Sequence, residues 1–455
     1  MRSEEALCDH ASNRDPLRRG WGAGLFNGVE KATLLLAVIG STAAWLVPFL
    51  LARSGADWIA GRYLYSVYGP VAFVGALAVR RYGGFAKSLP VLCLAVLMLA
   101  GVAWTDSTER LRGLTFALDF LMTIPIAALI RKHDWGTTVF RVVVVTTAVL
   151  MAYAFAQPAA SGRWGNIYGA GTVIMANADQ AGMMCAASTL LFIMTFRRRE
   201  RGWLKHWLPM VAIPVLLFGC AQTASRASIL ALVGSLGVAL WLRARRNVGA
   251  LIPVLCLALV GGATLLILDQ STSGPHSLDP TLERFTDADV RTIGGRTDIW
   301  MVAYDEFKQG LNPLLGVGTG GVEKALGSSS YGEPNRILEG GVWHTYPHNT
   351  IVWLGLALGG PGLALGLWLS VKLVRRAYRF DKRNNDWRRF SYLSLLILIG
   401  NACAINLEPG AIILTALLWV LVSVEPARAP DPRTIWVRGV PAYVTRNHVV
   451  LSLSD

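Results

Sequence analysis

The sequence predicts an all-α fold in which about twelve helices cross a membrane, and two observations carry this prediction. Hydrophobic residues make up 53% of the 455-residue chain and charged residues only 16%, whereas soluble domains are nearer a quarter charged. The apolar residues also fall in runs long enough to cross a bilayer as helices, which satisfy their own backbone hydrogen bonds there. These runs lie near residues 33–52, 64–79, 88–104, 111–130, 138–156, 169–195, 203–221, 226–242, 248–268, 349–371, 390–406 and 409–424.

One long polar stretch, rich in arginine and histidine, interrupts these runs and divides the chain into five predicted parts. Within this stretch, apolar residues recur at the spacing of one helix face, so we expect an amphipathic helix there. The predicted parts are a cytoplasmic segment at 1–31, a transmembrane bundle of about nine helices at 32–268, a periplasmic loop domain at 269–348, about three transmembrane helices at 349–424 and a cytoplasmic tail at 425–455.

The basic residues follow the positive-inside pattern of membrane proteins. The net charge is +14, but the excess falls in alternate loops, and the loops between them hold few basic residues. This distribution predicts cytoplasmic termini and an outward-facing 269–348 loop, and it explains the basic excess without nucleic-acid binding. The predicted cytoplasmic basic residues include Arg80, Arg81, Lys87, Arg131, Lys132, Arg197, Arg198, Arg199, Arg243, Arg245, Lys372, Arg375, Arg376, Arg379, Lys382, Arg383, Arg388 and Arg389.

Some predicted spans contain polar residues, which are costly in lipid and need partners or water. Asp119 lies in the middle of its run, where pairing with a neighbouring helix is the favoured interpretation. Asn177, Asp179 and Gln180 cluster in another run. That helix either begins late, faces a wet cavity or carries a structural polar network.

Arg226 begins a predicted helix on the outer side, just after Gln222. The positive end of a helix dipole and free backbone N–H groups lie at such a position, and together with the guanidinium fork they suit a phosphate. The alternative is that Arg226 only marks the membrane interface and extends toward the headgroups.

The outer loop repeats this arrangement where a Gly-Gly pair precedes Arg296. The glycines would let the backbone approach a ligand closely, and Thr297 or Asp298 would cap the amphipathic helix that follows. That helix carries Trp300 and Phe307, which could alternatively dip into the bilayer surface. The two interpretations are compatible.

His348 lies where the loop meets the next span, between Tyr346-Pro347 and Asn349. Nearby arginines would hold the imidazole neutral, and a neutral histidine suits a general base. The rival candidate is His344, which lacks the following asparagine and the position at a helix start.

Three motifs, in this order along the chain, resemble the O-antigen ligase and polymerase superfamily. They are R-x3-L at Arg226, Gly-Gly-Arg ending at Arg296, and H-[N/S/Q]-x9-G-x-x-G from His348 to Gly362. The motifs cover roughly residues 220–365, and the rest of the chain fits by its topology. Within the superfamily, the chain is most like the O-antigen ligases of Gram-negative bacteria.

The resemblance implies an inverting, metal-independent and ATP-independent glycosyltransferase of GT-C-like fold, without a cofactor, in the bacterial inner membrane. It would move a glycan from undecaprenyl pyrophosphate to a sugar hydroxyl of lipid A–core on the periplasmic face. His348 would act as the base, and Arg226 and Arg296 would neutralise the departing pyrophosphate. The expected substrate-binding residues are Arg163, Arg291, Asn349, Tyr346 and Gln222.

Several alternatives stay open at this stage. A polymerase that lengthens the glycan on its carrier, or a protein O-oligosaccharyltransferase, would have a similar sequence. A transporter of lipid-linked glycans would carry charges near the middle of several spans and functional residues on both faces. A metal-dependent transferase could use Asp287 and Asp289, and a glycosidase could use a carboxylate pair. Its candidate carboxylates are Glu283, Asp298 and Glu339.

Overall fold

The structure is a computed structural model dominated by helices. It describes residues 21–43, 57–156, 178–195, 203–222, 226–244, 296–327, 337–339, 342–344, 347, 349–384, 386–402, 412–423, 434–437, 440–445 and 448–451.

Eight helices precede the polar loop, and six lie within or after it among the described residues. The first group is α1 (Trp21–Ala43), α2 (Asp57–Tyr82), α3 (Leu89–Trp104), α4 (Arg110–Lys132), α5 (Gly136–Ala156), α6 (Ala178–Thr195), α7 (Trp203–Gln222) and α8 (Arg226–Ala244). The second group is α9 (Arg296–Phe307), α10 (Asn312–Leu315), α11 (Val322–Gly327), α12 (Thr350–Asn384), α13 (Arg388–Ala402) and α14 (Ile412–Ser423). A short 3-10 turn, Gly84–Lys87, connects α2 to α3.

Helix α4 lies at the centre of the described bundle. It packs against α2, α3 and α14. Close approach of α2 depends on Gly75, because a Cβ built there would lie 2.4 Å from the Cβ of Pro125. On another side, the Trp419 indole of α14 donates a hydrogen bond to the Thr123 hydroxyl at 3.0 Å. Small residues and a few polar contacts, rather than large interlocking side chains alone, therefore hold the central helix.

Eleven of the twelve predicted runs overlap a helix of the structure, and the run at 248–268 lies outside the described residues. Within the described chain, α4 and α12 are long and apolar enough to cross a membrane by themselves, and several further apolar helices are shorter. The span count therefore stays a prediction, as does the five-part division. The run predicted at 169–195 shows helix only from Ala178, and 157–177 lies outside the described part.

The described residues include five short strands, which the all-α prediction did not contain. In the polar loop, β1 (Ile337–Glu339) pairs antiparallel with β2 (Val342–His344). In the C-terminal tail, β4 (Val440–Thr445) pairs antiparallel with both β3 (Thr434–Val437) and β5 (His448–Leu451). These pairs are short hairpins without the long apolar runs on which the sequence prediction depended.

Three arginines from the predicted cytoplasmic side meet at one end of the bundle. Each donates to a backbone carbonyl near the end of another element. The bonds run from Arg131 to Tyr82 (3.0 Å), from Arg376 to Val422 (2.5 Å) and from Arg389 to Leu421 (2.6 Å). We call this region the basic end. The opposite region, which contains Thr105, residues 316–321, Pro347 and residues 349–350, is called the loop end.

Candidate functional site

Helix α12 is broken at the loop end, in the Gly-Gly-Pro-Gly motif. Gly359 adopts φ 66° and ψ −162°, a conformation that L-residues with a Cβ avoid. Pro361, two residues later, has no N–H to donate to Ala357. The break therefore releases backbone carbonyls of α12 that need partners from elsewhere in the protein.

The polar loop supplies those partners. Val317 N donates to the Leu356 carbonyl at 2.8 Å, and Gly318 N donates to the Ala357 carbonyl at 3.0 Å. This contact requires Gly316, whose φ is 72° and whose Cβ, if present, would lie 2.4 Å from the Ala357 carbonyl carbon. Backbone N–H groups of the loop thus satisfy the carbonyls that the break in α12 releases.

The same stretch, Gly316–Gly321, enters the bundle and is called here the glycine-rich segment. Thr319 is fully buried, and its hydroxyl donates to the Met98 carbonyl of α3 at 2.6 Å. A Cβ at Gly318 would lie 2.2 Å from the Thr105 hydroxyl oxygen, and one at Gly320 would lie 2.2 Å from the Glu109 carbonyl oxygen. The predicted periplasmic loop domain is therefore not wholly outside the bundle, because this segment packs between α3, α4 and α12.

Helix α9 connects the Gly-Gly-Arg motif to the start of α12. Arg296 is its first residue, so Thr297 and Asp298 lie inside the first turn rather than at the predicted cap. One turn later, the Trp300 indole Nε1 donates to the Pro347 carbonyl at 2.9 Å. One side-chain hydrogen bond therefore joins the helix that follows the Gly-Gly-Arg motif to the residue that precedes His348 in the sequence.

Asn349 caps helix α12. Its side-chain Oδ1 accepts hydrogen bonds from the backbone N–H groups of Ile351 at 2.9 Å and Val352 at 3.1 Å. The adjacent Thr350 hydroxyl donates to the Gly400 carbonyl of α13 at 2.8 Å. Satisfying free N–H groups at a helix start is a structural role. The asparagine oxygen is thus engaged by the protein itself, and the contact of Asn349 with substrate stays a prediction.

Helix α8 brings Arg226 to the same group of helices. Arg226 is the first residue of α8, as the sequence predicted, and Gln222 is the last residue of α7. Gly234 of α8 packs against Leu398 of α13, where a Cβ would lie 3.1 Å from the leucine methyl carbon. Leu398 stands two residues before Gly400, which accepts the Thr350 hydroxyl. Helix α13 thus connects α8 to the start of α12.

Charged residues support the loop end where α11 meets α4. Glu323 is fully buried and lies 3.9 Å from the Arg112 guanidinium, and Glu109 lies at the same distance from Arg112. At the surface, Lys324 donates to Asp106 at 2.8 Å. The hydrogen bond from Lys324 and those from Thr108 hold the pKa of Asp106 well below its ordinary value.

The structure describes the predicted site residues to different degrees. Asn349 is described in full, and only the backbone positions of Gln222, Arg226 and Arg296 are described. The rival His344 is the last residue of β2. Asp119 is buried within α4. The predicted site residues outside the described part are Arg163, Glu283, Asp287, Asp289, Arg291, Tyr346 and His348, and Asn177 of the polar cluster also lies outside it.

The sequence analysis did not single out the glycine-rich segment. A signal was available, because four glycines in the six residues Gly316-Val-Gly-Thr-Gly-Gly321 exceed what an ordinary loop needs. Such a density indicates backbone conformations or close approaches that a Cβ forbids. What the sequence could not show is which elements would approach, since Thr105 and Ala357 are far away along the chain.

Comparison with known proteins identifies this region of the chain. Residues 211–367, about a third of the chain, match the family model described as O-antigen ligase. The matched range contains Arg226, Arg296, Trp300, the glycine-rich segment and the Gly-Gly-Pro-Gly break. No curated protein matches the chain. The family match and the apolar helices together indicate a membrane-embedded protein.

Proposed function

We propose that this protein, whose residues 211–367 form an O-antigen ligase family domain, transfers a glycan from undecaprenyl pyrophosphate to a sugar hydroxyl of lipid A–core. The reaction inverts the anomeric carbon and uses no metal ion. It needs no ATP, because the lipid pyrophosphate is already an activated leaving group. The loop end faces the periplasm and the basic end faces the cytoplasm, in accordance with the positive-inside distribution.

The observation that carries this proposal is the hydrogen bond from Trp300 to Pro347. Arg296 precedes Trp300 by four residues, which is about 6 Å along the helix axis and on the same face. His348 follows Pro347 directly in the sequence. This bond therefore supports a single site that contains a cation for the pyrophosphate and a base for the acceptor.

In the proposed reaction, an acceptor hydroxyl oxygen attacks the anomeric carbon from the side opposite the pyrophosphate. The new carbon–oxygen bond forms as the bond to the pyrophosphate oxygen breaks, and undecaprenyl pyrophosphate leaves with the electron pair. His348 takes the hydroxyl proton and later releases it to water. Arg226 and Arg296 stabilise the charge that develops on the departing phosphate oxygen.

The remaining predicted residues act in binding the substrate. Arg163 and Arg291 add positive charge for the pyrophosphate, and Tyr346 offers an aromatic surface to a sugar. Gln222 lies at the end of α7, close in sequence to Arg226. Asn349 contributes mainly through its cap, which fixes the start of α12 directly after His348. The protein would act within a GT-C-like fold in the inner membrane, among membrane lipids.

A reconstituted transfer assay tests the proposal. Purified protein would receive lipid-linked glycan and lipid A–core, with EDTA present and ATP absent, and His348→Ala would be compared with His344→Ala. We expect glycan on lipid A–core from wild type and from His344→Ala. Loss of the base should lower the rate of the His348→Ala variant by roughly 100- to 10,000-fold.

The other outcomes separate the alternatives. Lengthening of the glycan on its carrier would make the protein a polymerase. Activity in His348→Ala but not in His344→Ala would assign the base to the rival histidine. If no transfer to lipid A–core occurred even with divalent metal added, the ligase proposal would be wrong, and a protein acceptor or a transport function would be tested next.

A further inference from the structure

We propose that Trp300 is a positioning residue for this transfer, which holds the peptide group joining Pro347 to His348. The inference rests on the proposed function, because it concerns the same site. It goes beyond that function by assigning a role to a side chain that touches neither substrate in the proposed reaction.

The geometry of the bond fits this role. The distance of 2.9 Å from the indole nitrogen to the Pro347 oxygen is close to the optimum for an N–H···O hydrogen bond. Pro347 is buried, and Trp300 is half-buried. The only polar group of the indole is its N–H, which can only donate, and the Pro347 carbonyl accepts that hydrogen bond. The sequence left open that Trp300 also dips into the bilayer surface, and the indole donor is directed to the protein backbone.

Covalent geometry extends the effect by one residue. A peptide group is planar, so the carbonyl of Pro347 and the backbone nitrogen of His348 belong to one rigid unit. Fixing the carbonyl oxygen therefore restricts the direction in which the chain enters His348. On the other side of the histidine, Asn349 is held by its cap on α12.

The helix that carries Trp300 is itself anchored. Ile299 and Ala303 lie in the hydrophobic core, with 4% and 3% of their surface exposed, and α9 packs against α11 and α12. A hydrogen bond from a helix anchored in the core restrains its acceptor more tightly than one from a mobile loop. Since Arg296 begins the same helix, this bond links the helix of the proposed cation to the peptide group that precedes the proposed base.

The expected effect follows from the sensitivity of catalysis to alignment. Displacing a catalytic group by about 1 Å costs on the order of 100-fold in rate. Trp300→Phe keeps an aromatic ring and removes the donor. We expect kcat to fall by roughly 10- to 100-fold, while KM for the acceptor stays within about twofold, because the variant leaves the binding groups unchanged.

Trp419→Phe is the matched control. The same substitution there removes an indole hydrogen bond of 3.0 Å to Thr123, between α14 and α4. Trp419 is buried and lies outside the proposed site. We expect Trp419→Phe to lower the thermal unfolding midpoint of the purified protein at least as much as Trp300→Phe, yet to keep kcat near the wild-type value.

A double-mutant cycle with His348→Ala separates positioning from general structural damage. If Trp300 acts through the histidine, Trp300→Phe should slow the residual activity of His348→Ala by less than about twofold. Equal fold losses in both backgrounds, or a wild-type kcat in Trp300→Phe, would overturn the inference while leaving the ligase function intact. Absence of transfer by the wild type would instead reject the proposed function.

Discussion

The basic end and the loop end of the bundle satisfy their exposed backbone groups by opposite means. At the basic end, long arginine side chains reach carbonyls of other elements, as Arg131 reaches Tyr82 and Arg376 reaches Val422. At the loop end, backbone N–H groups donate directly to backbone carbonyls, as Val317 N donates to the Leu356 carbonyl. Flexible side chains tolerate small changes in distance, whereas backbone contact through glycine does not. The loop end should therefore tolerate substitutions less well than the basic end.

The arginines of the two ends also occupy opposite helix termini. Arg131 lies in the last turn of α4, where a positive charge interacts favourably with the helix dipole. Arg226 and Arg296 begin their helices, where the same charge is unfavourable for the fold. An arginine at a helix start consequently needs an anion or an acceptor, and under the proposed function the pyrophosphate of the donor would supply one.

Two other arginines at helix starts show how the protein meets this need internally. Arg110 begins α4, and its Nε donates to the Thr105 carbonyl at 3.2 Å. Arg388 begins α13, and it forms hydrogen bonds of 2.8 and 3.0 Å with the same oxygen of Asp386. Burial alone would raise the pKa of Asp386, but the bonds and charge of Arg388 outweigh it and lower that pKa.

The comparison predicts its largest effect for Gly316→Ala at the loop end. The substitution places a Cβ 2.4 Å from the backbone of Ala357 at a φ of 72°. With a ψ of −177°, Gly316 lies in a backbone region that essentially only glycine adopts. That conformation costs about 1–3 kcal/mol and overpacking about 1–3 kcal/mol, so we expect a destabilisation of roughly 2–6 kcal/mol. The thermal unfolding midpoint of the purified protein measures this loss, and the transfer rate should fall with it.

Gly310→Ala is the matched control, because Gly310 has a φ of 48° but nothing within 4 Å of the added Cβ. It should cost only the conformational term, about 1–2 kcal/mol. Equal midpoints for the two variants would contradict the view that close backbone contact, and not conformation alone, governs the loop end.

Most of the helical bundle could be predicted from the sequence, because apolar runs of spanning length have few alternatives. The helix starts at Arg226 and Arg296 were also within reach, since glycine, polar residues and then apolar periodicity mark them. The contacts between residues that are far apart in the sequence could not be predicted. Nothing local to Trp300 reveals that its indole meets Pro347, and nothing local to Gly316 reveals Ala357.

The candidate site was predicted residue by residue but not as an arrangement. Asn349 was expected to bind substrate, yet its Oδ1 caps α12, which a position directly before a helix could have suggested. Buried Glu323 beside Arg112 was missed, since an isolated Glu-Lys pair in a loop resembles solvated surface. Tertiary contact, rather than local preference, decides such cases.

A smaller effect is expected at the basic end. Arg131→Ala removes the bond to the Tyr82 carbonyl, and a hydrogen bond to a charged group contributes about 1.5–3 kcal/mol. The unfolding midpoint should fall, while transfer per folded molecule should stay near wild type. Lys382→Ala, at an exposed position of α12, is the control and should change neither quantity. A specific loss of transfer in Arg131→Ala would show that the two ends are not separate in function.

The smallest effect concerns the pH dependence of the basic end, where His133 lies 2.9 Å from the buried Glu30 carboxylate. Burial lowers the pKa of His133 below its ordinary value of 6.5. Glu30 raises this pKa and Lys132 and Lys31 lower it, and the net shift is downward. The unfolded chain therefore binds the proton more readily than the folded one. The stability that His133 contributes is fully present above pH 6.5, the ordinary pKa of histidine. It is lost as the pH falls toward the pKa that His133 has in the folded protein.

His133→Gln tests this sign, because glutamine stays neutral throughout. Unfolding midpoints of both proteins would be measured from about pH 8 to about pH 5. Below pH 6.5, we expect the unfolding midpoint of the wild type to fall more steeply than that of the variant. Parallel curves would mean that His133 titrates alike in both states. A wild type that gains stability on acidification, relative to the variant, would mean that the ion pair with Glu30 outweighs burial.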